Sequence, residues 1–173
     1  MPGPDRHSAL AAKAVLGLQP YVPGKPVSEL EREYGIRDSI KLASNENPLG
    51  PPPASMRAIS AALGDLALYP DGAAFELKTA LAQRLKVDPA RITVGNGSNE
   101  LLSLVAETFL TPSTEAVYSQ YAFLVYALAV QATGATARIA PANPADHPQP
   151  LGHDLAAMKR QVGPATRLVF IAN

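Results

Sequence analysis

The sequence has 173 residues, 47% of them hydrophobic and 17% charged, with 15 basic side chains against 15 acidic ones. That length suits one domain, or one domain plus an arm, and the even charge leaves no excess with which to hold a polyanion, so nucleic acid is not expected as a partner. The absence of cysteine excludes a disulfide framework, a thiolate metal site and a cysteine nucleophile, while the longest strongly apolar run, Tyr121 to Val130, is about half the ~20 residues of a membrane span.

In chain order, the first segment from Ser8 to Leu18 has the apolar spacing of a short helix, and the three prolines of Pro20-Tyr21-Val22-Pro23-Gly24-Lys25-Pro26 make the next stretch an extended arm. Asp5, Arg6 and His7, with Lys13 inside the apolar run, make a poor secretory leader, so a soluble cytoplasmic protein is expected. Ser28 and Glu31 have the spacing of a capping box, which predicts a helix to Tyr34 stopped by Gly35. Ile40 to Ala43 reads as a short strand, and Asn45 to Pro53 as a loop. Met56, Ile59 and Leu63 recur at helical spacing within Ala54 to Leu63, and a second helix carrying Phe75, Leu77, Leu81 and Leu85 comes after the Tyr69-Pro70-Asp71-Gly72 turn.

From there the rhythm becomes strand then helix. Short β-branched or aromatic runs at Arg91 to Val94, Glu115 to Ser119, Thr136 to Ala140 and Arg167 to Ala172 are separated by helical segments at Asn99 to Leu110, Ala122 to Ala132 and His153 to Val162. This predicts an α/β architecture of parallel βαβ units. The apolar run Phe170-Ile171-Ala172 has no covering helix after it, from which a portion of a longer protein is expected.

The loop Gly95-Asn96-Gly97-Ser98-Asn99-Glu100 sits between a predicted strand and a predicted helix, the place where such proteins bind anions. Its glycines permit a sharp turn and close approach, and the helix start offers unpaired N–H groups and the positive end of a dipole. The same residues serve equally as a helix cap and a tight turn. Glu100 occupies the place of the third small residue in the dinucleotide fingerprint, and no Gly-Lys-Ser/Thr ending is present, so a cofactor with one terminal phosphate fits better than a dinucleotide or a triphosphate. His147, His153, Asp146 and Asp154 lack metal-ligand spacing and read as solvated loop, so no metal is expected. No G-x-S-x-G nucleophile elbow occurs.

Taken in order, Pro20 to Pro26, Leu42-Ala43-Ser44-Asn45-Glu46-Asn47-Pro48-Leu49-Gly50, Leu68 to Gly72, Gly95 to Glu100 and Tyr118-Ser119-Gln120-Tyr121 closely resemble histidinol-phosphate aminotransferases, which are fold-type-I pyridoxal-phosphate enzymes. The resemblance implies that residues 1–48 form an N-terminal arm with a contribution to the small domain, and that 49–173 form an incomplete large, cofactor-binding domain. It implies pyridoxal 5'-phosphate as cofactor, with Gly97, Ser98 and Asn99 at its phosphate, Tyr121 stacked on its ring and Tyr69 reaching the phosphate of the partner in a homodimer. Tyr21, Asn45 and Asn47 match the arm and loop that close over the substrate. The implied reaction moves an amino group between glutamate and imidazole acetol phosphate, a phosphorylated imidazole keto compound, in histidine biosynthesis. The family's Schiff-base lysine is expected beyond Asn173, so no catalytic residue is assigned within the chain. A related aromatic aminotransferase or a phosphothreonine decarboxylase is the nearest alternative, a catalytically inactive truncated chain is another, and a dinucleotide-binding domain comes after these.

Overall fold

The computed structural model describes residues 10–20, 24–42 and 44–172. It divides into two compact units, one built from 1–21 together with 94–173 and one from 22–93.

The first unit holds a three-stranded parallel sheet of β1 (Glu115–Ser119), β2 (Thr136–Ala140) and β3 (Thr166–Val169) in the order β2-β1-β3. β1 and β2 pair without interruption from Glu115↔Thr136 to Ser119↔Ala140, whereas the β1–β3 register shifts between Glu115 and Ala116. The helices are α1 (Lys13–Leu16), α5 (Ser98–Phe109), α6 (Leu124–Ala132) and α7 (Leu155–Gln161). A parallel sheet must be covered on both faces, and the alternation along β1 shows how this is done. Ala116 and Tyr118 pack with Ala106 and Leu110, with Ala129 and Val130 of α6, and with Phe170. Val117 turns to the opposite face and packs with Ala140 and with Ala157 and Met158 of α7. The path from β1 to β2 crosses one face, and the path from β2 back past β1 to β3 crosses the other. Reversing direction and face together keeps both crossovers of one hand.

The expected strands at Glu115 to Ser119 and Thr136 to Ala140 form with those bounds, and the third spans Thr166–Val169. Its pairing is carried one residue further by the Phe170 N–H, which donates to the Val117 carbonyl at 2.8 Å. Stacking of Tyr126 on Phe170, with centroids 4.7 Å apart, ties α6 to the same spot. The expected strand at Arg91 to Val94 does not form. Pro89–Arg91 makes a single 3₁₀ turn capped by the Asp88 carboxylate, which accepts the Ala90 N–H, and Ile92 onward is extended but has no ladder partner among the described residues. β-branched side chains favour extended backbone, but a strand also needs a neighbour.

Helix ends account for the remaining differences. The expected helix at Ser8 to Leu18 is confined, among the described residues, to Lys13–Leu16, and Ile40 to Leu42 forms no strand. The expected capping box is not made: Pro26 holds the N-cap position of α2 (Val27–Tyr34), and Glu31 instead accepts the Ser39 N–H at 3.2 Å. α7 starts two residues later than His153, because the Asp154 side chain takes the cap and accepts the Ala157 N–H at 2.8 Å. Asp154→Ala should lower unfolding stability by about 1 kcal/mol, seen as an earlier urea midpoint with unchanged slope.

The second unit contains α2, α3 (Pro53–Ala62), a 3₁₀ turn at Leu63–Asp65, and α4 (Phe75–Leu85). Ala82 is its one buried hydrophobic residue among those described. Met56, Ile59 and Leu63 stand at the predicted spacing, yet all three are exposed.

Candidate functional site

The segment after Ile92 is led into α5 by a turn in which the Gly97 N–H donates to the Gly95 carbonyl at 2.9 Å. The two glycines are required for different reasons. Gly97 has φ +87°, a left-handed value that side chains avoid, and space beside it is open. Gly95 is not in that region, but a Cβ placed on it would stand 2.7 Å from Glu100 Oε2 and 3.1 Å from a Leu101 methyl.

Gly97 occupies the N-cap position of α5 and has no side chain to offer, so no side-chain cap satisfies the helix start. Neither Ser98 nor Asn99 caps it. Both side chains are exposed, and neither has a hydrogen-bond partner among the described residues. The result is a helix start with free N–H groups, a positive dipole end and two uncommitted polar side chains, a combination that attracts an anion. Glu100 is the exception in this loop. Its carboxylate bends back to accept the Asn96 N–H at 2.6 Å, with the Asn96 side-chain amide 3.4 Å from both its oxygens.

The same unit carries Tyr121. The turn at Thr111 to Thr114 joins α5 to β1, and α5 packs against the sheet through Ala106. A 12-residue helix and a five-residue strand both span roughly 17 Å, so the start of α5 returns to the level of the carboxyl end of β1. Tyr121 lies two residues past that end and is 60% exposed. In open α/β sheets this edge is where ligands sit.

Two side chains at this edge have surroundings that the sequence does not announce, and His153, expected in a solvated loop, is half-buried. Ser119, the last residue of β1, is 1% exposed, and its hydroxyl has no hydrogen-bond partner among the described residues. His153 donates from Nε2 to the Ala172 carbonyl at 2.6 Å, leaving a buried Nδ1 without a partner. Tyr118, buried on β1, has its phenol pushed up from the usual value by desolvation.

The remaining expected site residues lie elsewhere. Asn45, Asn47 and Tyr69 belong to the second unit, and Tyr21 lies outside the described residues. Asn47 is committed to its own loop, its Oδ1 accepting the Leu49 N–H at 3.1 Å and its amide donating to the Gly50 carbonyl at 3.0 Å. Between the two asparagines, Glu46 pairs with Lys41 at 2.7 Å. Tyr69 is fully exposed on its turn. Asp71 holds that turn by accepting the Phe75 and Ala73 N–H groups at 2.8 and 2.9 Å, and these bonds, with that to Phe75 the stronger influence, lower its carboxyl below the ordinary value.

No protein-family model matches the chain. It is 54% identical over 166 residues to histidinol-phosphate aminotransferase 2 of Methylococcus capsulatus, covering 96% of this chain and 45% of the relative. It is 52% identical over 164 residues to histidinol-phosphate aminotransferase 1 of Nitrosococcus oceani, covering 95% and 43%. Among solved structures, histidinol-phosphate aminotransferase from Sinorhizobium meliloti in complex with pyridoxal-5'-phosphate superimposes with a TM-score of 0.79 at 27% identity, over 94% of this chain and 42% of that one. The fold is therefore that of part of a fold-type-I aminotransferase, and the chain spans less than half the length of the curated relatives it matches.

Proposed function

We propose that this chain, homologous over nearly all its length to histidinol-phosphate aminotransferases, supplies the phosphate- and ring-binding part of a pyridoxal-phosphate enzyme that moves an amino group between glutamate and imidazole acetol phosphate. The observation that carries this reading is the uncapped start of α5, with open space at Gly97 and, among the described residues, no hydrogen-bond partner for the side chains of Ser98 or Asn99. Gly95 adds to the fit, since a side chain there would fill the turn. When bound, the cofactor supplies an electron sink for the carbon that gains or loses the amino group.

The chain's own residues bind and orient. Gly97, Ser98 and Asn99 would hold the phosphate through backbone N–H groups and two short polar side chains, and Tyr121 would lie against the ring. The anchor fixes the cofactor while its chemistry proceeds elsewhere on the molecule. Tyr69, fully exposed on a turn held by Asp71, would reach the phosphate of a second copy in a homodimer. Tyr21, Asn45 and Asn47 would serve the substrate side. Residues 1–48 are assigned to an arm and small-domain contribution and 49–173 to the cofactor-binding domain. A cytoplasmic location is proposed with the biosynthetic role; among the described residues no helix is long and apolar enough to cross a membrane. No catalytic residue is assigned within the 173 residues, which taken alone are proposed to be inactive.

Asn99→Ala should weaken binding of pyridoxal phosphate about tenfold, equivalent to about 1.4 kcal/mol, while leaving binding of unphosphorylated pyridoxal unchanged. Equilibrium dialysis with both compounds measures this. Equal affinity of wild type and variant for pyridoxal phosphate would remove the assignment, and saturable binding of NAD in its place would favour a dinucleotide site.

A further inference from the structure

We propose that Glu100 is the positioning residue of the anion cradle: bent back over Gly95, its carboxylate fixes Asn96 and so keeps the first N–H groups of α5 open to a phosphate. This rests on the reading of α5 as a phosphate site.

An acidic residue in the first turn of an anion-binding helix is at first sight misplaced, because a carboxylate would compete for the N–H groups and repel the ligand. The observed geometry resolves the conflict. Glu100 Oε2 accepts the Asn96 N–H at 2.6 Å, and both Glu100 oxygens stand 3.4 Å from the Asn96 side-chain amide, on the loop side of the helix start. Charge-assisted bonds of this kind are the stronger ones, so the carboxylate is held and the loop is held with it. The ligand-facing N–H groups of Ser98 and Asn99 stay unclaimed by any side-chain cap.

The place of Gly95 is explained by the same contact. Its backbone does not lie in the left-handed region, so an alanine could adopt it, but the methyl would meet Oε2 at 2.7 Å. Glycine leaves room there for the Glu100 carboxylate first and for the Leu101 side chain beside it. Gly97, by contrast, meets nothing within 4 Å and is needed for its φ. Two glycines separated by Asn96 thus serve two separate ends.

The test uses Glu100→Ala, Glu100→Gln, Gly95→Ala and the double variant Gly95→Ala/Glu100→Ala, with dialysis against pyridoxal phosphate and hydrogen exchange at the Asn96 amide. If Glu100 mattered only as a negative charge, both Glu100 variants would bind the phosphate more tightly. The proposal requires them to diverge. Glu100→Ala should bind about fivefold to tenfold more weakly with faster exchange at Asn96, whereas Glu100→Gln, whose amide oxygen still accepts the Asn96 N–H, should bind at least as tightly as wild type. Gly95→Ala should imitate Glu100→Ala, and in the Glu100→Ala background its cost should be smaller, because the nearest group it meets is gone and only the Leu101 side chain, 3.1 Å away, still has to give. Tighter or equal binding by Glu100→Ala, or a Gly95→Ala effect of the same size in both backgrounds, overturns the proposal. If Asn99→Ala loses affinity and Glu100→Ala does not, this inference alone fails; if wild type binds neither pyridoxal phosphate nor inorganic phosphate, the phosphate reading fails and this falls with it.

Discussion

Val117→Asp is expected to abolish the cooperative unfolding transition of the unit that carries β1. Val117 sits in the central strand, is fully buried, and packs in a cluster of apolar neighbours, Ala140, Ala157 and Met158. An unpaired carboxylate there has to lose its hydration or take up a proton, at a cost of several kcal/mol, against a total stability of about 5–15 kcal/mol for a typical domain. Val117→Ala, which only opens a small cavity, should cost about 2 kcal/mol and keep the transition. Circular dichroism during urea unfolding separates the two: a sloping, non-cooperative curve for Val117→Asp and an earlier but sharp one for Val117→Ala. A sharp curve for Val117→Asp would mean that α7 does not seal that face of the sheet.

The second large effect concerns the state of association. In the unit of residues 22–93, Leu66, Leu68 and Phe75 are 76%, 71% and 71% exposed, and the apolar stripe of α3 has no buried member. Apolar side chains left exposed in this number favour association in water where they meet in one patch. In the other unit, β2 and β3 are the outer strands of the described sheet, with Ile139 and Val169 exposed along them. Open strand edges add a second route to self-pairing. Sedimentation velocity on the 173-residue chain should therefore show species larger than a monomer that grow with concentration. Charged substitutions at Ile59 and Leu66 should shift the distribution toward monomer. A monomer with a single sharp melt, insensitive to those substitutions, would contradict this.

Much of this fold is legible in the sequence, and the exceptions have physical causes. β1 and β2 stand at their predicted bounds because each is a short β-branched or aromatic run set between two helical segments, and each finds a parallel neighbour, β1 at the centre of the sheet and β2 at its edge. Arg91 to Val94 has the same local character and makes no strand, since pairing depends on a neighbour and not on local preference. The helix bounds differ from expectation by one or two residues wherever a cap decides them, at Asp154 for α7 and at Gly97 for α5. The anion loop is legible as Gly95 to Glu100, but the choice between cap and cradle is not. That choice turns on whether Ser98 or Asn99 spends its polar atoms on the helix, and neither does. Glu100 is visible in the sequence only as a departure from the dinucleotide fingerprint. Its contact with Asn96 closes a short loop over a glycine that must leave room for it, a relation that no single residue type announces. The burial of Ser119 and of His153, the latter expected in a solvated loop, is illegible for another reason: a buried hydroxyl and a buried ring nitrogen without partners among the described residues are properties of packing alone.

The first unit takes its residues from both sides of a long excursion. α1 is in contact with α6 through Ala14, whose carbonyl lies 3.5 Å from the Gln131 amide, 117 positions further along the chain. Closing so long a loop carries an entropic penalty about 1.5 kcal/mol larger than closing the β1-to-β2 crossover. That difference predicts an order of events during folding. Strands and crossovers between Glu115 and Val169 are assembled from near neighbours and should form without waiting for the chain start, while residues 13–17 should dock last, onto a surface already built. Pulsed and native-state hydrogen exchange should then find the amides of α1 the last to be protected as the chain folds and among the first to exchange once it has.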